Sequence, residues 1–198
     1  ASNTAAIAAA STQSGAFALS ATSADSVIFT TLAPGNYTAV VSSANGGTGI
    51  ALVEVYDLSA AVAGQKLFNI STRAIAGTGT STLAAGISIN GSVPKRLLVR
   101  AVGPGLVQLG FSNALPQTQL QVFNSSNQVI AQNTGWGTSP DASAIAASFA
   151  QVGAFPLVVG SGDSAMIISL APGNYTAQIN PIGSTTSGVA IIEVYELP

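Results

Sequence analysis

The feature that most constrains this chain is an internal repeat of which one copy is incomplete. The segment GAFALSATSADSVIFTTLAPGNYTAVV, starting at Gly15, matches GAFPLVVGSGDSAMIISLAPGNYTAQI, starting at Gly153. Further on, GIALVEVYDL at Gly49 matches GVAIIEVYEL at Gly188. The offset grows from 138 to 139 residues between these matches, which places one extra residue in a connecting loop, where backbone constraint is weakest. Such self-similarity indicates a modular fold.

The segment from about residue 67 to residue 133 occurs only once. The chain therefore reads as a partial module, residues 1–59, followed by a complete module, residues 60–198. The partial module copies only the last part of the complete one. We call the strands of the unrepeated segment the leading strands and those of the repeated segment the closing strands.

Within a module, short runs rich in Val, Ile, Thr, Phe and Tyr alternate with Gly, Pro, Asn and Ser turns, a pattern typical of β-strands. Ala-Pro-Gly-Asn joins the first two closing strands through a tight reversal. Copies of the closing strands are predicted near 26–32, 37–42 and 49–58. The five leading and three closing strands of the complete module are predicted near 66–75, 83–89, 96–102, 117–123, 128–132, 164–170, 175–180 and 188–197.

One helix is predicted over 141–151, where Ser-Pro-Asp occupies the cap and first-turn positions. A partial copy of this helix lies near 3–11. Many short antiparallel strands with polar turns favour a sandwich. The predicted fold class is therefore all-β, an antiparallel β-sandwich with an additional N-terminal partial repeat of three strands.

Charged side chains are scarce, since the 198 residues include 5 Lys+Arg and 7 Asp+Glu, or 6%, against roughly 25% in an ordinary domain. The chain has no His and no Cys, which excludes a His-based triad, a His or Cys zinc site and disulfides. A net charge of -2 argues against nucleic acid as a partner. Residues 142–160 are interrupted by polar residues and Pro, so no membrane-spanning helix is expected.

Several segments resemble known bacterial modules. TQLQVFNSSNQVIAQNTGW and SAMIISLAPGNYTAQI are similar to the pre-peptidase C-terminal family, in which two strands and a turn precede a strand–APGxYT–strand hairpin. A longer pattern, LFNISTRAIAGTG, PKRLLVRAVGPGL and GVAIIEVYEL, resembles repeat modules of large secreted bacterial surface proteins. The resemblance covers most of 66–198 and, as a partial copy, 15–59.

This resemblance implies a jelly-roll-like sandwich outside a bacterial cell, at the cell surface, in a protein with an accessory or structural role. Members of such families often carry acidic residues that could bind calcium. Here the matching positions are the neutral Asn124, Asn127, Asn133 and Thr134. Because calcium favours several carboxylate oxygens, we expect no metal, and no other cofactor is indicated.

The acidic side chains are expected to be structural rather than catalytic. Three of them recur in a copy that lacks half of its module, as Asp25, Glu54 and Asp57 against Asp163, Glu193 and Glu196. A turn cap at the Asp positions and ion pairing at the Glu positions explain this recurrence better than general acid–base chemistry does. No catalytic residue is assigned, and the chain is not expected to be an enzyme.

Glu54 and Glu193 lie in nearly continuous apolar strands, which are usually covered on both faces. A buried charge needs a partner, and the few cations available make Arg73 and Arg100 the candidates. The basic cluster of Lys95, Arg96 and Arg100 is accordingly interpreted as ion-pairing rather than as an anion or polysaccharide patch.

Trp136, between two glycines, is a candidate glycan contact. Anchoring of its loop against the sandwich is the favoured reading, because single aromatic residues at such a position more often anchor a loop than bind a sugar.

The strand count favours self-assembly. The chain has one set of leading strands but two sets of closing strands, so one closing set has no leading set to pair with. Exposed strand edges promote association unless charged side chains protect them. The first hypothesis is thus an extracellular structural subunit of a filament, sheath or surface layer, whose partner is another copy of itself. Its candidate contact residues are Val27, Phe29, Val40, Val53 and Tyr56.

The alternative hypothesis is a non-catalytic carbohydrate- or surface-binding accessory module of a larger secreted protein. Polysaccharide is then the candidate partner, and the partial module belongs to a neighbouring module. An enzyme, the third hypothesis, would have to work with carboxylates alone.

Overall fold

The computed structural model describes residues 4–20, 22–59 and 67–198. It divides the chain into a first unit, Ala1–Leu67, and a second unit, Phe68–Pro198. The sequence-based boundary between residues 59 and 60 adjoins residues 60–66, which lie outside the described residues, and it stays a prediction.

The second unit is built of eight strands with one α-helix, and each strand lies close to its predicted position. The first unit contains the other α-helix, α1 (Thr4–Ser14). The elements of the second unit are β1 (Asn69–Ala76), β2 (Leu83–Ile89), β3 (Lys95–Val102), β4 (Thr118–Asn124), β5 (Val129–Asn133), α2 (Ala142–Gln151), β6 (Ser164–Leu170), β7 (Gly173–Pro181) and β8 (Gly188–Glu196).

The eight strands form two four-stranded sheets with the orders β1-β8-β3-β6 and β2-β7-β4-β5. All ladder pairs are antiparallel, and they include β1 with β8, β2 with β7, β3 with β6 and β4 with β5. These four pairs are those of one long hairpin wrapped into two layers, which is the jelly-roll arrangement. The predicted all-β antiparallel sandwich is confirmed.

The sheet that contains β3 is covered on both faces. Leu97, Val99 and Ala101 of β3 point into the core between the two sheets. Leu98 and Val102 point the other way, into a second cluster with Phe149 of α2 and with Trp136. Burial on both sides explains why β3 reads as an almost uninterrupted apolar run.

The first unit departs from the prediction made for it. Helix α1 copies α2, and Gly15 after it has φ +74° where Gly153 has φ +67°. Among residues 4–20 and 22–59, however, no strand is formed. The three strands predicted near 26–32, 37–42 and 49–58 are therefore wrong.

The topology of the second unit gives the physical reason for this difference. Within residues 67–198, β6 pairs with β3, β7 pairs with β2 and β4, and β8 pairs with β1 and β3. Every ladder neighbour of a closing strand is thus a leading strand. A segment that carries closing sequences alone has no neighbour with which to exchange backbone hydrogen bonds.

Candidate functional site

Arg100 of β3 and Glu193 of β8 form a buried ion pair at the centre of one sheet. They are register partners, and Arg100 Nε lies 2.8 Å from Glu193 Oε2. Both side chains are buried, and Tyr195 donates its hydroxyl to Glu193 Oε1 at 3.0 Å. The ion pair predicted for Glu193 thus involves Arg100, because β3 lies directly beside β8.

Aromatic rings and a backbone carbonyl complete the surroundings of Arg100. Its Nη1 donates to the carbonyl oxygen of Phe155 at 2.7 Å. The guanidinium carbon lies 4.4 Å from the ring centroid of Phe155 and 4.8 Å from that of Phe149. Arg100 Nε and Nη2 meet no well-aligned hydrogen-bond acceptor among the described residues, so ionic attraction and ring stacking hold this end of the guanidinium.

Burial raises the pKa of the Tyr195 hydroxyl well above its ordinary value of 10.0, and the negative charge of Glu193 raises it further. The phenol therefore stays protonated at neutral pH and acts as a hydrogen-bond donor to Glu193. The side chains of Arg100, Glu193 and Tyr195 are buried and bond to one another, so the cluster links β3 to β8.

Asp163 lies just before β6 and is the second carboxylate that connects the closing strands to the leading strands. We call the leading strands with their loops the leading half, and the closing strands with theirs the closing half. It is completely buried, and its Oδ1 accepts the backbone N–H of Gly103 at 2.8 Å and of Gly105 at 3.2 Å. Ser161 Oγ donates to its other oxygen at 2.7 Å. Asp163 and Glu193, which we call the carboxylate pair, therefore bind the two ends of the six-residue segment Arg100–Gly105, through hydrogen bonds and an ion pair respectively.

In the first unit, Asp25 and Glu54 occupy the positions of the carboxylate pair, and both are exposed. The buried ion pair predicted for Glu54 is therefore corrected, because no leading strand lies beside it among the described residues. The local contact is retained, since Tyr56 donates to Glu54 Oε1 at 3.1 Å. Desolvation and this hydrogen bond raise the pKa of Tyr56 above its ordinary value. At the Ala-Pro-Gly-Asn turn, Tyr37 donates to the Ala33 carbonyl at 2.9 Å, as its copy Tyr175 donates to the Ala171 carbonyl in the complete module.

Among residues 4–20 and 22–59, the long-range contacts of the complete module are absent. Ile28 is 84% exposed, whereas Met166 at the same repeat position is 8% exposed. Val41 is 61% exposed, whereas Ile179 at its position is completely buried. The subunit-contact candidates are also exposed among the described residues, namely Val27, Phe29, Val40, Val53 and Tyr56. The candidate functional site is therefore this surface of residues 15–20 and 22–59, which we call the closing surface.

Comparisons with known proteins leave the family open. No family model and no curated protein matches the chain. A solved structure to which it is similar is the 1.0 Å crystal structure of the pre-peptidase C-terminal domain of collagenase from Bacillus anthracis. The TM-score is 0.38 with 9% identity, over 64% of this chain and 89% of that one. A likeness at this TM-score carries no argument about function, and the resemblance seen in the sequence stays a prediction.

The remaining cations do not follow the predicted pairing in every case. Arg73 is exposed and lies over the ring of Phe111, 4.4 Å from its centroid, so its predicted role as a buried partner of a Glu is corrected. Its register partner across the ladder is Ile191 rather than Glu193. Lys95 pairs with Glu196 at 2.9 Å near the surface.

Trp136 is 2% exposed, so the less favoured of the two readings, a glycan contact, is corrected. Its Nε1 donates to the Val158 carbonyl at 3.2 Å, and its ring meets Phe149 edge-on at 5.4 Å. A buried ring offers no face to a sugar, because stacking needs an open aromatic surface. The residue anchors its loop against α2.

A groove in the second unit is lined by small and neutral residues. No group of His, Cys, Asp or Glu among the described residues could hold a metal. Within the same residues, none of the helices has the length and hydrophobicity that a transmembrane helix requires. None of the side chains that line the groove is charged. It is lined by Pro116, Gln117, Thr134, Gly135, Gly137, Thr138, Gly160, Ser161 and Gly162.

Sequence reasoning missed the partners of Asp163 and the rings around Arg100. The sequence predicts a turn cap at Asp163, and its Oδ1 accepts hydrogen bonds from a turn 60 residues away in the sequence. One signal pointed there: Ser and Asp two residues apart recur in both copies, as Ser23 with Asp25 and Ser161 with Asp163.

Proposed function

We propose that this chain is a non-catalytic accessory module of a larger secreted protein, with a mechanical or attaching role. Its described carboxylates are either tied into the fold, as Asp163 and Glu193 are, or exposed without a neighbouring base, as Asp25 is. General acid–base chemistry needs a positioned pair of groups beside a substrate cavity, and the groove described above contains none.

The observation that carries this proposal is the unequal strand count together with the jelly-roll pairing. Closing strands pair with leading strands, and the chain has one leading set for two closing sets. Adding further copies of the chain leaves this ratio unchanged. A homopolymer therefore cannot supply each closing surface with a leading half, whereas a larger assembly with additional modules can.

Hydrogen–deuterium exchange of the purified chain tests this proposal. Backbone amides of β1–β8 should exchange slowly, because they donate within ladders. Amides of residues 26–58 should exchange at nearly unprotected rates at every protein concentration. Slow exchange of residues 26–58 in a monomeric chain would contradict the proposal, since the closing surface would then be satisfied internally.

A second candidate function, self-assembly into a filament, sheath or surface layer, is favoured by the large apolar side chains of the closing surface. Apolar patches of this kind commonly mark association sites, and a contact between unlike surfaces repeats into a fibre unless it closes. Light scattering and electron microscopy of the full chain separate the candidates. Polymers that disappear on removal of residues 1–59 favour assembly, and monodisperse monomer excludes it.

A further inference from the structure

The first unit repeats the residues with which the complete module grips its own leading strands. We propose that the closing surface binds a leading half of the same module type, meaning a polypeptide with the equivalents of β1–β5. Asp25 and Glu54 recognise in it an Arg that is followed three residues later by a Gly-x-Gly turn. This inference rests on the proposed function, and it identifies the partner by the groups that the partner must bring.

The register of β8 indicates why the partner must carry an Arg. Glu193 faces Arg100 across the ladder, and Glu54 occupies the Glu193 position with the same tyrosine hydroxyl on its Oε1. Pairing with a leading half takes Glu54 out of water, and a buried carboxylate without a cation is strongly unfavourable. The partner must therefore provide the cation. Phe17, at the Phe155 position, provides a ring on which a guanidinium stacks better than an ammonium.

The Gly-x-Gly turn follows from Asp25. In the complete module, Asp163 accepts the amides of Gly103 and Gly105, which begin three residues after Arg100. A Cβ at Gly103 would collide with the backbone carbonyl of Leu115, so this turn requires glycine. Ser23 stands at the position of Ser161 and is placed to support Asp25 in the same way.

The leading half of a second copy of this chain fits the closing surface poorly. Ala24 stands at the position of Gly162, where a Cβ would collide with the carbonyl oxygen of Pro116. Ser11 stands at the position of Phe149, so one of the two rings around the Arg is missing. The partner therefore keeps the Arg and the Gly-x-Gly turn but has a different loop at the place of residues 116–117.

The test joins a leading half directly to the full chain. A second copy of residues 67–138 is added ahead of Ala1. This gives the natural spacing, because α1 matches α2 in the repeat at an offset of 138 residues. The extended chain also carries Ala24→Gly, which removes the collision with the added loop. Hydrogen–deuterium exchange is measured on residues 26–58, and the second unit of the same molecule serves as the internal reference. Residues 26–58 should become protected in the extended chain and stay unprotected in the chain without the extension.

Matched substitutions then test the two recognition residues. In the extended chain, Glu54→Gln should lower the protection of residues 26–58 by about 100-fold or more, because it leaves the added Arg buried without a counter-charge. Arg100→Leu in the added segment should have a similar effect. Asp25→Asn should lower protection less, since an amide oxygen still accepts hydrogen bonds. Reversion of Ala24→Gly should also reduce protection.

The outcomes separate this inference from the proposed function. If residues 26–58 of the extended chain stay unprotected while the second unit remains folded, the inference is overturned and the accessory-module proposal stands. Protection that is indifferent to Glu54→Gln and Asp25→Asn overturns the recognition of Arg and the turn. Protection that appears without the extension as concentration rises identifies a second copy as the occupant and overturns the inference. Protection of the unextended monomer contradicts the proposed function itself.

Discussion

At the scale of single residues, the buried Arg100–Glu193 pair is the feature most sensitive to change. Such a pair adds little net stability compared with well-packed apolar residues, but removal of one partner leaves an uncompensated charge. Arg100 is completely buried, so it cannot turn toward water if Glu193 is lost. The repeat provides an internal comparison, since Glu54 is chemically the same group at an exposed position.

Glu193→Gln should therefore lower the free energy of unfolding of the second unit by about 3 kcal/mol, measured by urea denaturation. Glu54→Gln in the same chain should change this free energy by less than about 0.5 kcal/mol, as is usual for exposed sites. Equal effects of the two substitutions would show that the buried pair has no special role.

The alkaline stability of the second unit should depend on Tyr195. Its pKa in the folded state is raised above the ordinary value of 10.0, so above pH 10 the unfolded chain loses the phenol proton first. Stability is then complete below pH 10 and falls as the pH rises through the folded pKa. Urea midpoints between pH 8 and pH 11 should show this decline. Tyr195→Phe should flatten it, and an unchanged decline in Tyr195→Phe would contradict this origin.

At the scale of elements, the sequence located strands well but could not decide whether they form. All eight predicted strands of the complete module are present, because turn residues and β-branched runs are local signals. Residues 26–32, 37–42 and 49–58 carry the same signals and form no strand in the described structure. A strand is defined by its neighbour as well as by its own residues, and in the complete module the neighbours of the matching strands are leading strands.

The loop before β6 should be intolerant of a side chain. Gly162→Ala should lower the free energy of unfolding by about 1–3 kcal/mol, because its Cβ collides with the Pro116 backbone and forces the loop to shift. The matched change in the first unit, Ala24→Gly, should be nearly neutral for urea unfolding of the chain. A neutral Gly162→Ala would remove the steric reason for excluding a second copy as the partner.

At the scale of the whole molecule, the jelly roll divides into two halves that depend on each other. Each sheet alternates leading and closing strands over much of its width, so the closing half has no ladder of its own and the leading half has only the ladder of β4 with β5. The second unit contains both halves, and the first unit contains one.

This division predicts how the chain unfolds. A single cooperative urea transition is expected, with an m-value appropriate to the second unit alone, because the m-value scales with the surface exposed on unfolding. The chain extended by residues 67–138 should have a larger total m-value or a second transition. An m-value for the unextended chain that matches a fully folded 198-residue protein would contradict the assignment of the closing surface as unpaired.

The candidate site was only partly predictable for the same reason. The position of Glu193 in an apolar strand identified a buried charge that needs a cation. Because the chain has only 5 Lys+Arg, the sequence narrowed the candidate partners of Glu193 to two arginines. Arg73 and Arg100 could not be separated by sequence, because both lie in strands that flank β8. Burial of Trp136 against Phe149 of α2 likewise depended on packing between distant segments.

The sequence by itself determined the repeat, the places where strands and turns occur, and the positions of the carboxylates, because propensity, turn chemistry and internal copying act within a few residues. Tertiary structure alone decided which strands become neighbours, that Arg100 rather than Arg73 meets Glu193, and that Asp163 holds a turn 60 residues away. Those outcomes depend on the wrapping of a long hairpin into two layers, which pairs residues that are far apart in the chain. In the closing surface, Asp25 and Glu54 repeat the positions of Asp163 and Glu193 but are exposed, because no leading strands pair with this segment among the described residues.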